Sequence, residues 1–355
     1  MKEIVIQPSI TTPTTSLVIG EHLLEGDLLI DFCKKRKHRI VIVADHALQD
    51  VYASKLADHL NARLLTIPSG EKAKTKETAE MIENELFKSN YGRDTTLIAM
   101  GGGVTTDLVG FVASIYMRGV DLILIPTTLL AMVDASIGGK TAIDTTFGKN
   151  LIGTVYFPQA IITDLETLKT LPDKEWINGL AEILKMGLIA DPSIWKIAEK
   201  EIKNHELILK AIRGKITIIE QDPSEKGLRR ILNFGHTIGH GLEAISCYEM
   251  SHGIAVAIGC VIESRLSMKL GYLSEKEFEQ IRSLFHRLSL YLPNTYDRKK
   301  LIEAMLYDKK NINKQTRFVM IDRIGHAIPF DGDYCRPIAE HELEATLIWM
   351  EKTYG

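Results

Sequence analysis

Thr95–Asp107 reads TTLIAMGGGVTTD, and this stretch decides the fold. Thr95–Met100 is an apolar, β-branched run of strand length, and Gly101-Gly102-Gly103-Val104 follows it at once. A strand that runs through glycines into a helix lets backbone approach a pyrophosphate, and the new helix adds N–H groups and a positive dipole end. Thr105 and Thr106 read as caps of that helix, with Asp107 in its first turn. The pattern is not GxGxxG, and a glycine turn without any ligand reads as well on this stretch alone.

Outward from this corner, short apolar runs alternate with helical stretches. Arg39–Asp45 (RIVIVAD), Arg63–Ile67 (RLLTI), Asp121–Ile125 (DLILI) and Ala160–Asp164 (AIITD) read as strands, and Thr75–Ser89 as a helix. Such alternation predicts an α/β, Rossmann-like N-terminal domain with a mostly parallel sheet. Asp45 ends one strand, where an acid accepts from a ribose hydroxyl or serves as a plain turn acid. From Asp173 the pattern turns helical: Asp173–Ile189, Pro192–Asn204, Leu207–Gln221, a helix around Leu232–Ile245, then His252–Leu270. A short strand pair fits near Arg317–Ile328. The reading is residues 1–170 as an α/β dinucleotide-binding domain and 171–355 as a mainly α-helical domain for metal and substrate, with the boundary near 165–173.

Composition narrows the class. The 355 residues are 45% hydrophobic and 25% charged with net charge −3, as in an ordinary globular chain of about two domains. Without a basic run, nucleic-acid binding has no electrostatic support. Cys33, Cys247, Cys260 and Cys335 form no CxxC pair and read as reduced thiols. MKEIVIQPSI carries no basic-then-apolar leader, and no apolar stretch reaches the about 20 residues of a membrane span, so the expectation is a cytoplasmic protein.

Two clusters carry chemistry. Ile125–Asn150, read as a polar loop, holds Asp134, Lys140, Lys149 and Asn150 among glycines, which suits an anionic ligand. Its GGKT lacks the earlier glycine of a phosphate-binding P-loop, because Asp134 stands there. In Asn233–His240 (NFGHTIGH), His236 and His240 lie at i and i+4 on one helical face, and His252 follows. Glu182 and Lys185 lie at i, i+3 on an earlier apolar helix, where a buried acid needs a partner. Histidines with a carboxylate suit Zn²⁺, although spacing alone does not choose which three of the four groups bind it.

As a set, these motifs resemble those of the 3-dehydroquinate synthases, sugar-phosphate cyclases of the shikimate pathway. The resemblance runs from about Asp45 to about Phe318, and its carriers are GEKAKT (Gly70–Thr75), GGGVTTD, Tyr116-Met117-Arg118-Gly119, PTTLLAMVDASIGGKT (Pro126–Thr141), Gly148-Lys149-Asn150, GLAEILKMG (Gly179–Gly187), GLRRILNFGHTIGH (Gly227–His240), His252-Gly253 and Asp308-Lys309-Lys310. The resemblance implies Glu182, His236 and His252 as ligands of Zn²⁺ or Co²⁺, with His240 on the substrate side. It implies an NAD site of Asp45, Glu71, Lys74, Gly102, Gly103, Val104, Asp107, Thr127, Thr128, Lys140 and Lys149. Asp134, Lys140, Asn150, Lys185, Lys215, Arg229, Asn233, His240 and one of Lys309 or Lys310 would serve the substrate.

The implied reaction converts 3-deoxy-D-arabino-heptulosonate 7-phosphate (DAHP) to 3-dehydroquinate and phosphate. Its steps are transient oxidation by NAD⁺, phosphate elimination, re-reduction, ring opening and intramolecular aldol closure. The rivals are a metal-dependent polyol dehydrogenase, a cyclase for a substrate without a carboxylate, and a silent binding protein. The cationic set Lys140, Lys215 and Arg229 argues for a substrate with two anionic ends. Family resemblance also implies a homodimer. Two positions depart from the family's usual pattern: Thr106 stands in place of Gly, and Ile254 in place of an acid after His252-Gly253. The second departure predicts a weaker outer shell around the metal.

Overall fold

The computed structural model describes residues 14–34, 39–306 and 316–355. It divides into two compact units. Unit 1 holds the chain up to Thr127 together with Gly139–Thr167, and unit 2 holds Thr128–Gly138 and Leu168–Gly355. A two-part cut at 170/171 has no counterpart for the excursion Thr128–Gly138.

Unit 1 is built on the strands β1 (Ser16–Gly20), β2 (Arg39–Asp45), β3 (Arg63–Ile67), β4 (Thr95–Gly101) and β5 (Asp121–Pro126). A hairpin of β6 (Lys140–Thr145) and β7 (Gly148–Val155) follows, then β8 (Ala160–Asp164). Six strands form one parallel sheet in the order β1-β8-β5-β4-β2-β3. β4 is buried at every position, as a central parallel strand of Thr, Leu, Ile and Met should be. The helices of this unit are α1 (Leu28–Lys34), α2 (Ser54–Leu60), α3 (Lys76–Lys88) and α4 (Gly103–Ile115). Thr75 caps α3 by accepting from the Thr78 amide at 3.2 Å. From β2 the chain passes to β3 on one side, and from β4 to β5 on the other. The carboxyl ends of β2 and β4 therefore flank the point where the winding reverses, which is where doubly wound sheets take ligands.

Unit 2 is mainly helical. It contains α5 (Asp173–Ile189), α6 (Pro192–Lys200), α7 (His205–Gln221), α8 (His236–Ile245), α9 (His252–Lys269), α10 (Glu275–His286), α11 (Arg298–Leu306) and α12 (Glu340–Tyr354). Asp191 caps α6 with Pro192 in its first turn, and Asn204 caps α7. Residues of α9 are buried from Gly253 to Ile262 without interruption, so this helix is apolar all round and forms the centre of the unit. Ile321–Arg323 pairs antiparallel with His326–Ala327, within the stretch read as a strand pair. No helix among the described residues is long and apolar enough to cross a membrane. Cys247, Cys260 and Cys335 are free thiols, and the Cys33 side chain lies outside the described residues, as does the opening stretch MKEIVIQPSI.

Three expectations need correction. The helix around Leu232–Ile245 is broken: a tight turn over Leu228–Asn233 precedes Gly235 at φ +79°, and α8 starts only at His236. The polar loop Ile125–Asn150 contains β6 and the start of β7, paired antiparallel from Lys140 with Val155 onward. Thr105 and Thr106 do not cap α4, because that helix starts at Gly103 with Gly102 in the capping position. The Thr106 hydroxyl donates to Gly103 O at 3.1 Å inside the first turn, and Asp107 lies beyond it.

Candidate metal centre and its surroundings

Unit 2 brings three distant residues together. Glu182 lies mid-way along α5, His236 opens α8 and His252 opens α9. Close backbone approach sets this up. A Cβ on Gly259 of α9 would stand 1.9 Å from Gly235 O, so α8 begins hard against α9. A Cβ on Gly253 would stand 2.3 Å from Asn178 Cα, so α9 begins hard against α5. One ligand atom from each of Glu182, His236 and His252 falls within 4.8 Å of the others.

The two imidazoles are oriented alike. Nδ1 of His236 faces Phe234 O at 3.1 Å, and Nδ1 of His252 faces Glu243 Oε2 at 3.1 Å. With Nδ1 as donor in each ring, the Nε2 atoms turn toward Glu182 Oε1, at 3.4 Å from His236 and 3.5 Å from His252. Glu182 is 2% exposed, and its Oε1 is buried without a hydrogen-bond partner. Its other oxygen meets Lys185 Nζ in an ion contact. An orphaned buried carboxylate oxygen facing two imidazole nitrogens is the donor set of a divalent cation with an open position. Burial pushes the His252 pKa down, but Glu243 and Glu182 reverse this and lift it to about 10.

His240 sits one turn along α8, exposed, with its ring centroid 5.2 Å from that of His236 and 6.4 Å from that of His252. Nearby cations are buried. Lys185 Nζ also donates to Leu232 O at 2.7 Å, and Lys215 Nζ donates to Asp134 Oδ1 at 2.6 Å. Burial pushes the Asp134 carboxyl up, but Lys215 and Lys185 outweigh it and hold the group well below the ordinary carboxylate range. Arg229 is buried, with its guanidinium donating to Pro223 O at 2.9 Å and to Gly138 O at 3.4 Å. Asn233 Nδ2 donates to Glu225 Oε1 at 2.8 Å.

Unit 1 holds most of the remaining expected site residues. Asp45 ends β2 and accepts from the Ala47 amide at 2.9 Å and from the Ser69 hydroxyl. Gly102, Gly103 and Val104 form the start of α4 at the carboxyl end of β4, and the Thr127 amide donates to Gly101 O at 2.9 Å. Lys74 Nζ bridges Asp107 Oδ2 and Asn150 Oδ1, each at 2.6 Å, and Lys149 Nζ is 3.5 Å from Glu71 Oε1. Lys140 is exposed at the start of β6, and Thr128 falls in unit 2, where its hydroxyl accepts from the Ala131 amide at 3.2 Å. Asn150, expected beside substrate, accepts from the expected NAD residue Lys74, which also donates to Asp107. Lys309 and Lys310 lie outside the described residues.

Sequence reasoning passed over Glu243 and Asp144. Glu243 stands seven positions after His236 on α8, a same-face spacing that was legible. Asp144, whose Oδ1 accepts from the Asn150 amide at 2.9 Å, had no such signal.

The comparisons agree over most of the chain. The family described as 3-dehydroquinate synthase N-terminal matches residues 64–178, and 3-dehydroquinate synthase C-terminal matches residues 179–311. A 3-dehydroquinate synthase of Thermodesulfovibrio yellowstonii is 40% identical over 323 residues, covering 86% of this chain and 89% of that protein. One from Campylobacter concisus is 41% identical over 304 residues, covering 82% and 87%. Among solved structures, the 2-epi-5-epi-valiolone synthase ValA of Streptomyces hygroscopicus subsp. jinggangensis, with NAD⁺ and Zn²⁺ bound, superposes with a TM-score of 0.88 at 26% identity. That likeness covers 98% of this chain and 99% of ValA. With both halves matched and relatives of one name at about 40% identity over most of their length, the chain belongs to the 3-dehydroquinate synthase family.

Proposed function

We propose that this chain converts DAHP into 3-dehydroquinate and phosphate, with NAD and one divalent cation, Zn²⁺ or Co²⁺, as its cofactors. The observation that carries the reading is the convergence of Glu182, His236 and His252 around the orphaned Glu182 oxygen. Bound there, the cation would supply Lewis-acid polarisation of substrate oxygens, and NAD would supply a hydride acceptor restored within each turnover.

The chain's own residues divide the remaining work. Asp45 would take the ribose, and Gly102, Gly103 and Val104 the pyrophosphate, at the reversal point of the sheet. Glu71, Lys74, Asp107, Thr127, Thr128, Lys140 and Lys149 would complete the dinucleotide site. Lys185, Lys215, Arg229 and Lys140 are fixed cations for the substrate's carboxylate and phosphate. Asp134 keeps Lys215 in place, and Asn150 and Asn233 offer amides to hydroxyls. His240, exposed one turn from His236, would hold and move a proton at a substrate oxygen. Lys309 or Lys310 completes the set. Much of the rate would come from positioning and fixed charge.

The working form we propose is a homodimer. Supporting it, the hairpin leaves Phe147 at its tip 93% exposed, with Leu151, Ile152 and Val155 exposed along β7. Isolated exposed apolar residues are ordinary, but a run on one unpaired ribbon is a surface for a second copy.

Incubation with DAHP, NAD⁺ and Zn²⁺ tests the activity. Phosphate release with no net change in nicotinamide absorbance is the expected result. Net NADH formation from a polyol, without phosphate release from DAHP, would replace this reading with a dehydrogenase.

A further inference from the structure

We propose that Glu243 is a positioning residue of the metal centre, holding His252 through its Nδ1 so that Nε2 stays aimed at the cation. The inference rests on the ligand assignment above and extends it by one shell. Glu243 is 5% exposed, on the same helix as His236 and seven positions, about two turns, beyond it. One face of α8 therefore presents a ligand at one end and, at the other, the carboxylate that grips the ligand on α9. The bond to His252 Nδ1 is 3.1 Å. A carboxylate so placed fixes the tautomer and ring plane of a ligating histidine and raises its basicity.

The two histidines are supported differently. His236 leans on a neutral backbone oxygen, Phe234 O, whereas His252 leans on a buried carboxylate. Charge explains why the centre needs it. Both histidines sit in the first turns of helices, whose positive ends disfavour a cation. Lys185 already takes up one oxygen of Glu182. Glu243 adds the negative charge that these groups leave wanting. Ile254, two positions after His252, is buried and apolar and offers no acceptor, so the outer-shell carboxylate of His252 comes from α8.

The test is Co²⁺ binding to the full-length protein, read by chelator competition and by the visible ligand-field spectrum, for wild type, Glu243→Gln and Glu243→Ala. Glu243→Ala should weaken Co²⁺ by about 10–100-fold and shift the spectrum. Glu243→Gln keeps an acceptor without the charge, so it should lose less affinity than Glu243→Ala. Wild-type affinity with an unaltered spectrum in Glu243→Ala would overturn the inference, even if the variant melts earlier. Should Glu243→Ala not fold, unchanged affinity and spectrum in Glu243→Gln overturns it instead. His252→Ala is the control for the underlying assignment: if it binds Co²⁺ as tightly as wild type, the ligand set itself is wrong and the inference falls with it.

Discussion

The Gly253 amide donates to Asn178 Oδ1 at 3.0 Å, tying the start of α9 to α5 one residue from His252 and one turn from Glu182. No side chain fits between these backbones, because a Cβ at 253 would lie 2.3 Å from Asn178 Cα. The same short contact that packs the two helices also fixes the distance between two of the three ligands.

Gly253→Ala should therefore separate the ligands as well as strain the core. Overpacking costs about 1–3 kcal/mol, and the melting temperature should fall accordingly. Bound metal per chain, measured by elemental analysis, should drop well below that of wild type. Full metal occupancy with only a lower melting point would show that the ligand spacing does not depend on this contact.

His252→Ala removes a ligand from the end of a helix whose core is otherwise untouched. We expect loss of metal-dependent activity with little change in the circular dichroism spectrum. Retention of full activity would contradict the assignment.

Arg229→Ala should impair substrate capture more than dinucleotide binding, because Arg229 belongs to the cationic set of unit 2. The check is KM for DAHP against Kd for NAD⁺. An equal loss in both would argue against the placement.

Lys74 is 4% exposed between Asp107 and Asn150. Burial pushes its ammonium down, but Asp107, then Glu71 and Asp144, outweigh burial and raise its pKa above the ordinary 10.5. Lys74→Met strands a largely buried carboxylate, so a loss of about 3–5 kcal/mol is expected in urea unfolding at neutral pH. With the folded pKa raised, the stabilisation is whole below about 10.5 and is lost as pH climbs through the folded value. The gap between wild type and Lys74→Met should thus narrow as pH climbs through the folded value of Lys74. A gap that stays unchanged across that alkaline range would refute the sign.

Charge placed on the exposed ribbon tests the dimer. Phe147→Glu with Ile152→Lys should shift sedimentation from two copies to one while leaving the melting point of the single chain nearly intact. Unchanged association would move the interface elsewhere.

What was legible in the sequence follows physical contrast. Arg39–Asp45, Arg63–Ile67, Ala160–Asp164 and Asp173–Ile189 match their elements residue for residue, because each is a dense apolar run with a sharp polar edge. The hairpin was not legible: β7 is mostly exposed, so neither burial nor alternation marks it as a strand. The break at Gly235 was hidden because histidines at i and i+4 suggest a helix that continues in both directions. At the site, periodicity could place His236 and His240 on one face, but which of them meets Glu182 depends on how closely α8 lies against α9. That closeness is tertiary and leaves only glycines as its trace. Glu243 escaped notice because an acid two turns along a helix reads first as a solvated face. The Ile254 departure suggested a poorer outer shell, and the contact from Glu243 supplies a carboxylate there by another route.

His252 begins the helix that is enclosed on every side, whereas His236 begins the helix that follows a left-handed glycine. Amides deep in such an enclosed segment exchange with solvent only when the whole unit unfolds. Gly235 is itself wedged against that segment, with no room for a Cβ beside Cys260 and Val256. An ion seated at this junction would then rest between two walls that part only together, and its departure into a chelator should track the global opening of the unit.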